Sequence, residues 1–270
     1  MDVVNTATLC DRINLKIFEK PITDGSGIMR IRKQPVENRK YNLFPYNHID
    51  VVNLEKAEEK VKKLYEFKIL IEKSDTNERD ILNYINSGEY HLIGGIVKNG
   101  YFFGHHSAYL FPEFQLGNDY KVDYLVIGKN SDGYHFLLIE LEAIYGNITT
   151  KDGDFGKAVR SGLSQIDDWK SWIEGNHTTF TRELLKYKND ERQLPSVFYT
   201  YDSSRFNYAV IGGRREDFKY EKTRRKQRES WKVNGIRILH YDNIIDRTLD
   251  WVTGHINRWH EEEMKDASTV

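Results

Sequence analysis

Two apolar runs, KVDYLVIG and HFLLIELE, flank the turn-like segment KNSDGY, and they restrict the fold more than any other part of the sequence. Asp132-Gly133 is the residue pair that a tight hairpin turn prefers. The runs therefore read as neighbouring antiparallel strands. Strands so uniformly apolar need cover on both faces of their sheet, which calls for helices on either side.

Acids interrupt this apolar setting at one end. Asp123 opens the first strand, and Glu140-Leu141-Glu142 closes the second. Strand residues two apart share a face, so Glu140 and Glu142 point together and Leu141 points away. Antiparallel pairing brings Asp123 alongside them. Carboxylates gathered in a buried setting repel one another and lose hydration, a cost relieved by pairing or by a metal. Mg2+ or Mn2+ would suit such oxygen ligands. It would lower the pKa of a bound water and neutralise a phosphate under attack. The alternative is a set of strand-end acids, solvated or paired with nearby lysines.

The rest of the chain supplies the helices. From Asn53, Leu54, Ala57, Val61, Leu64 and Tyr65 recur at helical spacing. A second helix follows the capping run Ser74 to Asn77, with Glu78 in its first turn, a stripe of Ile81, Leu82, Tyr84 and Ile85, and Gly88 as its stop. YHLIGGIV, YFFGHHSAYL and the short FPEFQLG read as extended, as do SVFYTY, NYAVIG and GIRILHYD. Helices are expected from about Phe155 to Ile173, from about Arg215 to Lys232, and over DNIIDRTLDWVTGHINRWH, whose stripe includes Leu249 and Ile256. The expectation is a mixed-sheet α/β domain over 66–270, with a variable N-terminal segment over 1–65 that contributes one strand from Ile28 to Ile31.

Composition removes several classes of function. Forty basic residues against forty-one acidic exclude a globally basic nucleic-acid coat. The single cysteine, Cys10, excludes a disulfide framework and fits the cytoplasm. No apolar run reaches the roughly 18 residues of a membrane span, and the N-terminus lacks the order of a signal peptide. A local basic patch remains: Arg214, Arg215, Lys219, Lys222, Arg224, Arg225, Lys226 and Arg228 fall in one short span. Such a patch suits phosphate binding. Gly212-Gly213 before it is expected to turn sharply and offer amides to a phosphate. The alternative is a solvated helix paired with Glu216, Asp217, Glu221 and Glu229. His105-His106, adjacent on an extended segment, would point to opposite faces and not share a metal.

The ordered set of KVDYLVIG, HFLLIELE, the helix in TKDGDFGKAVRSGLSQIDDWKSWI, YAVIGGRRED and GIRILHYDNIID resembles the PD-(D/E)XK nuclease superfamily. More closely, it resembles the Shedu antiphage nucleases, over roughly Asn77 to Asp246. The resemblance implies a restriction-endonuclease-like core and a DNA endonuclease that uses Mg2+ or Mn2+ and assembles as a homo-oligomer. It implies Asp123 and Glu140 as core metal ligands, Glu78 as the acid of the first core helix and a further ligand, and Gln165, one turn before Trp169, as a residue that orients water or contacts DNA. It also implies Arg214, Arg215, Lys222, Arg224 and Arg225 as the nucleic-acid-binding element. The superfamily usually places a lysine two residues beyond the second acid, where this chain has Glu142. Glu142 then serves as a ligand or general base, with Lys151 or Lys157 reaching in to supply the charge. The same departure also suits a DNA- or protein-binding member that does not cut. Glu113 is a further acid expected on the strand beside Asp123. An RNA nuclease or a phosphatase-like hydrolase is a third reading.

Overall fold

The computed structural model describes residues 22–23, 29–30, 41–52 and 56–267, with side chains over 41–52 and 56–254. Its centre is a six-stranded mixed sheet in the order β3 (His48–Ile49), β4 (Ser107–Leu116), β5 (Tyr120–Asn130), β6 (Gly133–Leu141), β7 (Phe206–Ile211) and β8 (Ile236–Leu239). β3 to β6 are antiparallel neighbours, whereas β6, β7 and β8 run parallel. The hairpin β5–β6 forms as its turn chemistry requires, with Asn130 opposite Gly133. A separate pair, β1 (Ile22–Thr23) and β2 (Met29–Arg30), is antiparallel. Met29–Arg30 falls inside the strand expected in the N-terminal segment, while Ile28, Ile31 and Cys10 lie outside the described residues.

Helices cover both faces, as the uniformly apolar strands demand. One face carries α1 (Ala57–Glu72), α2 (Glu78–Asn86), α3 (His91–Gly100) and the start of α7 (Tyr241–Ala267); Leu64, Phe67, Ile81, Ile93 and Ile244 pack there on Tyr124, Val126, Leu137 and Ile139. The other face carries α4 (Lys157–Gly175) and α5 (His177–Leu185), where Ile166, Trp169 and Phe180 pack on Leu125, Leu138 and Val210. α6 (Glu221–Asn234) joins β7 to β8.

Three expectations are corrected, while FPEFQLG is extended as expected and forms the second half of β4. YHLIGGIV is the helix α3, not a strand. Its residues His91 to Val97 are buried on every side, which erases the helical polar stripe. Gly94 and Gly95 are there for close packing: a Cβ on Gly95 would lie 2.7 Å from the Cα of Thr248 in α7. SVFYTY is not a strand: Ser196–Phe198 is a 3-10 turn whose Phe198 fills the aromatic core around Phe44, Tyr134 and Phe136. The charged helix starts late, because Arg215–Phe218 is a 3-10 turn and α6 begins at Glu221.

Stripe details also shift. In α1 the buried residues are Leu64, Phe67 and Ile71, and Tyr65 is 53% exposed. Leu249 of α7 is partly exposed. Leu54 lies outside the described residues, as does the side chain of Ile256.

A candidate carboxylate centre at the strand ends

The acids meet where β5 begins and β6 ends. Asp123, Glu140 and Glu142 are each buried, with 8%, 7% and 8% of their surface exposed. Leu141 packs on the α2–α3 face. Glu140 and Glu142 turn to the opposite side, where they accept hydrogen bonds from Gln165 and Ser161 of α4. Period-two geometry thus produces the shared face expected from the sequence.

Asp123 sits at an irregularity of the sheet. Phe111 and Phe114 of β4 fall in the same core cluster although they are three residues apart, and so do Val122 and Leu125 of β5. Alternation therefore slips by one residue in both strands. The register runs from Pro112–Tyr124 to Phe114–Val122, which leaves Glu113 and Asp123 facing each other without a ladder pair. Glu113 has φ 48°, the left-handed region. For a residue with a side chain this costs about 1–2 kcal/mol. Asp123 Oδ2 accepts the Leu141 N–H at 2.7 Å, which replaces a missing ladder bond and fixes the carboxyl against β6.

Glu78 approaches from α2. The Asn77 side chain accepts the Asp80 N–H at 3.2 Å, and Asp80 accepts the Asn77 N–H at 2.9 Å, a reciprocal cap that fixes Glu78 as the first helical residue. Glu142 is held in a cradle built by absences. A Cβ on Gly162 of α4 would lie 3.1 Å from Glu142 Cγ, and one on Gly212 would lie 2.9 Å from its Cβ. Tyr241 Oη, at the start of α7, donates to the Glu142 carbonyl at 2.7 Å.

The electrostatics of these acids follow from burial. Desolvation pushes the Glu140 carboxyl up, and Asp123, Glu142 and Glu78 push it further. Asp123 is raised by burial and by Glu78, against the Leu141 hydrogen bond and the Lys121 charge. Glu142 is raised to about 7 by burial and by Glu78, against the Ser161 hydrogen bond. Glu78 itself is raised by burial. One oxygen of Glu142, Oε1, is buried without a hydrogen-bond partner.

This donor set suits a hard cation of the Mg2+ class, which needs only one or two carboxylates and keeps several waters. Among the described residues, no group of three or more His, Cys, Asp or Glu side chains is arranged to hold a metal by itself.

Other candidates stand elsewhere. Glu113 lies beside Asp123 on β4, as expected, but its carboxylate is taken by Lys121 Nζ at 2.6 Å, with Arg79 at 3.8 Å. Lys151 is exposed at a surface hollow with Thr149 and Glu216, and Lys157 is exposed at the start of α4; the cation whose charge acts on Asp123 is Lys121. His105 and His106 are exposed, ring against ring at 4.5 Å. Nothing in the sequence around Lys121 set it apart from other surface lysines.

The basic segment is largely paired. Arg214 clasps Asp242 at 2.9 and 3.1 Å and donates to the Ile71 carbonyl at 2.8 Å. Arg215 meets Asp246 at 2.6 Å, and Lys222 meets Asp154 at 2.8 Å. Arg224 Nε donates to the Phe218 carbonyl, and Arg225 lies 3.6 Å from Glu229. The expectation that Gly212-Gly213 offers free amides is corrected. Gly212 N–H donates to the Leu239 carbonyl and Gly213 N–H to the Ala143 carbonyl, because the chain there still continues the sheet edge. Arg215, Arg224, Arg228 and Arg237 nevertheless line a groove of about 420 Å³ between α6 and β8.

A family model described as Shedu protein SduA, C-terminal, matches residues 75–245, from just before the α2 cap to the first turns of α7. No curated protein matches the chain.

Proposed function

Because this chain belongs to the Shedu family, a family of antiphage defence, we propose that it is a DNA endonuclease dependent on Mg2+ or Mn2+. One observation carries the reading: buried carboxylates converge at a break in the sheet, where burial and their mutual repulsion raise their pKa values. Natural cores avoid such an arrangement unless function requires it.

Asp123 and Glu140 would hold the cation, with Glu78 near enough to bias the site. When bound, that ion would activate water and neutralise phosphate charge. Asp123 is oriented by the Leu141 amide. Gln165, bonded to Glu140, directs its amide toward the attacking water or the DNA backbone. Glu142, raised to about 7, takes the proton from that water at neutral pH. The glycine cradle keeps that carboxyl close to α4 and β7. Arg224 and Arg225, with Arg215 and Lys222 when released from their partners, bind the DNA backbone, and the protein works in the cytoplasm as a homo-oligomer.

The test incubates the full chain with linear and circular DNA in Mg2+, Mn2+ or EDTA, beside an Asp123→Ala, Glu140→Ala double variant. The expected result is cutting that needs the metal and is lost in the variant. Cutting in EDTA, or equal cutting by the variant, would overturn the reading. A second reading is a DNA- or protein-binding member that does not cut; it is favoured by Glu142, which stands where the superfamily usually has a lysine. Binding without cutting in every metal would establish it.

A further inference from the structure

The Glu113–Lys121 pair has no structural justification of its own. Both groups reach solvent: the Lys121 side chain is 46% exposed and that of Glu113 21%. Exposed ion pairs of this kind return little stability. Yet the chain accepts a left-handed backbone at Glu113, φ 48°, inside a strand. That conformation costs more than the ion pair returns, and such outliers gather at working sites. The residue opposite the strained position is Asp123. Glu113 also draws Arg79, the neighbour of Glu78, to 3.8 Å. Its carboxylate therefore lies between the strand of Asp123 and the helix of Glu78, binding one cation from each.

The acidic centre needs what this arrangement provides. Phosphodiester cleavage builds negative charge on the phosphate, and a fixed cation beside it stabilises that charge. Lys121 is the cation whose charge acts on Asp123. Resting on the nuclease reading above, we propose that Lys121 donates a hydrogen bond to a non-bridging oxygen of the scissile phosphate, and that Glu113, held in its left-handed conformation, is the positioning residue that aims it.

Two variants separate this role from a structural one. Glu113→Gly relaxes the backbone and removes the carboxylate, and Lys121→Met removes the charge but keeps the stem. For Lys121→Met in Mn2+ we expect kcat to fall about 100-fold, the scale of a lost charge stabiliser, and affinity for a short duplex oligonucleotide to fall only a few-fold. Glu113→Gly should lower kcat about tenfold with Tm equal to or above wild type, since the strain is gone. The double variant should be no slower than Lys121→Met alone, and Lys121→Arg should recover part of the rate.

Unchanged kcat in both single variants would overturn the proposal and leave the nuclease reading intact. So would a lowered Tm in Glu113→Gly with no loss of rate. If the wild type binds the duplex but never cuts, the nuclease reading falls, and unchanged affinity in Lys121→Met then overturns the phosphate contact as well; a few-fold loss upholds it.

Discussion

Two charged regions share one end of the sheet. Leu141 and Ile211 are in register across β6 and β7, so the acidic centre and the chain leading into the basic segment leave the sheet from adjacent strands. In the basic segment charge is answered. Burial alone would raise Asp242, but the His240 ring 3.5 Å away and hydrogen bonds from Arg214 and the Arg215 amide hold it far below the usual carboxylate range. In the acidic centre burial outweighs the Leu141 amide and the Lys121 charge, and it drives every carboxyl toward protonation. Charge can thus fasten a fold or strain it. The strained set is the one whose removal should help folding while abolishing activity.

That contrast breaks most readily by neutralising the acids. Asp123→Asn with Glu140→Gln should lower DNA cleavage at least about 1,000-fold, equivalent to ~4 kcal/mol. The metal-free protein should become more stable by about 1–2 kcal/mol, raising Tm by roughly 2–8 °C. A calorimetric Tm below wild type would place these acids among the fastening charges.

Arg214→Ala is the reverse case. It leaves Asp242 and the Ile71 carbonyl without their donor, and should cost about 2–4 kcal/mol in denaturant unfolding. An unchanged midpoint would show that the clasp holds nothing.

The two regions should also respond oppositely to pH. A raised carboxyl contributes stability that is complete below its unfolded pKa and is lost as pH climbs through the folded one, here about 7 for Glu142. The depressed Asp242 contributes stability above its unfolded pKa and loses it in strong acid. Metal-free protein should therefore lose about 1–3 kcal/mol between roughly pH 5 and 8, and Glu142→Gln should flatten that slope. A Tm that rises across this interval would contradict the assignment.

The smallest effect is expected from the exposed arginines. Arg224→Ala and Arg225→Ala should each change stability by less than about 0.5 kcal/mol. Each should reduce the salt dependence of DNA binding, measured in EDTA by anisotropy, by about one charge. No change in that dependence would remove them from the interface.

The acidic centre was legible because its logic is local. A turn pair, period-two alternation and an apolar setting brought Asp123, Glu140 and Glu142 together, and the Asn77 cap fixed Glu78 in the first turn of α2. What stayed hidden was tertiary. α3 looked extended because burial on all sides leaves no polar stripe, and its glycines have meaning only against Thr248. The aromatic density of SVFYTY reflects one ring, Phe198, filling a core. Asp242, Asp246 and Asp154, which occupy the basic side chains, carry no sign in sequence of which partner they will meet. The strain at Glu113 had no turn residue to announce it.

The opening turn of α7 does two things at once: Tyr241 grips the main chain at Glu142, and Asp242 clamps Arg214. Farther along, Thr248 receives the bare backbone of Gly95. The helix therefore ties together the end of β6, the turn before α6 and the helix α3. A displacement of that opening turn would therefore be felt at once by the Glu142 main chain and by the Arg214 guanidinium.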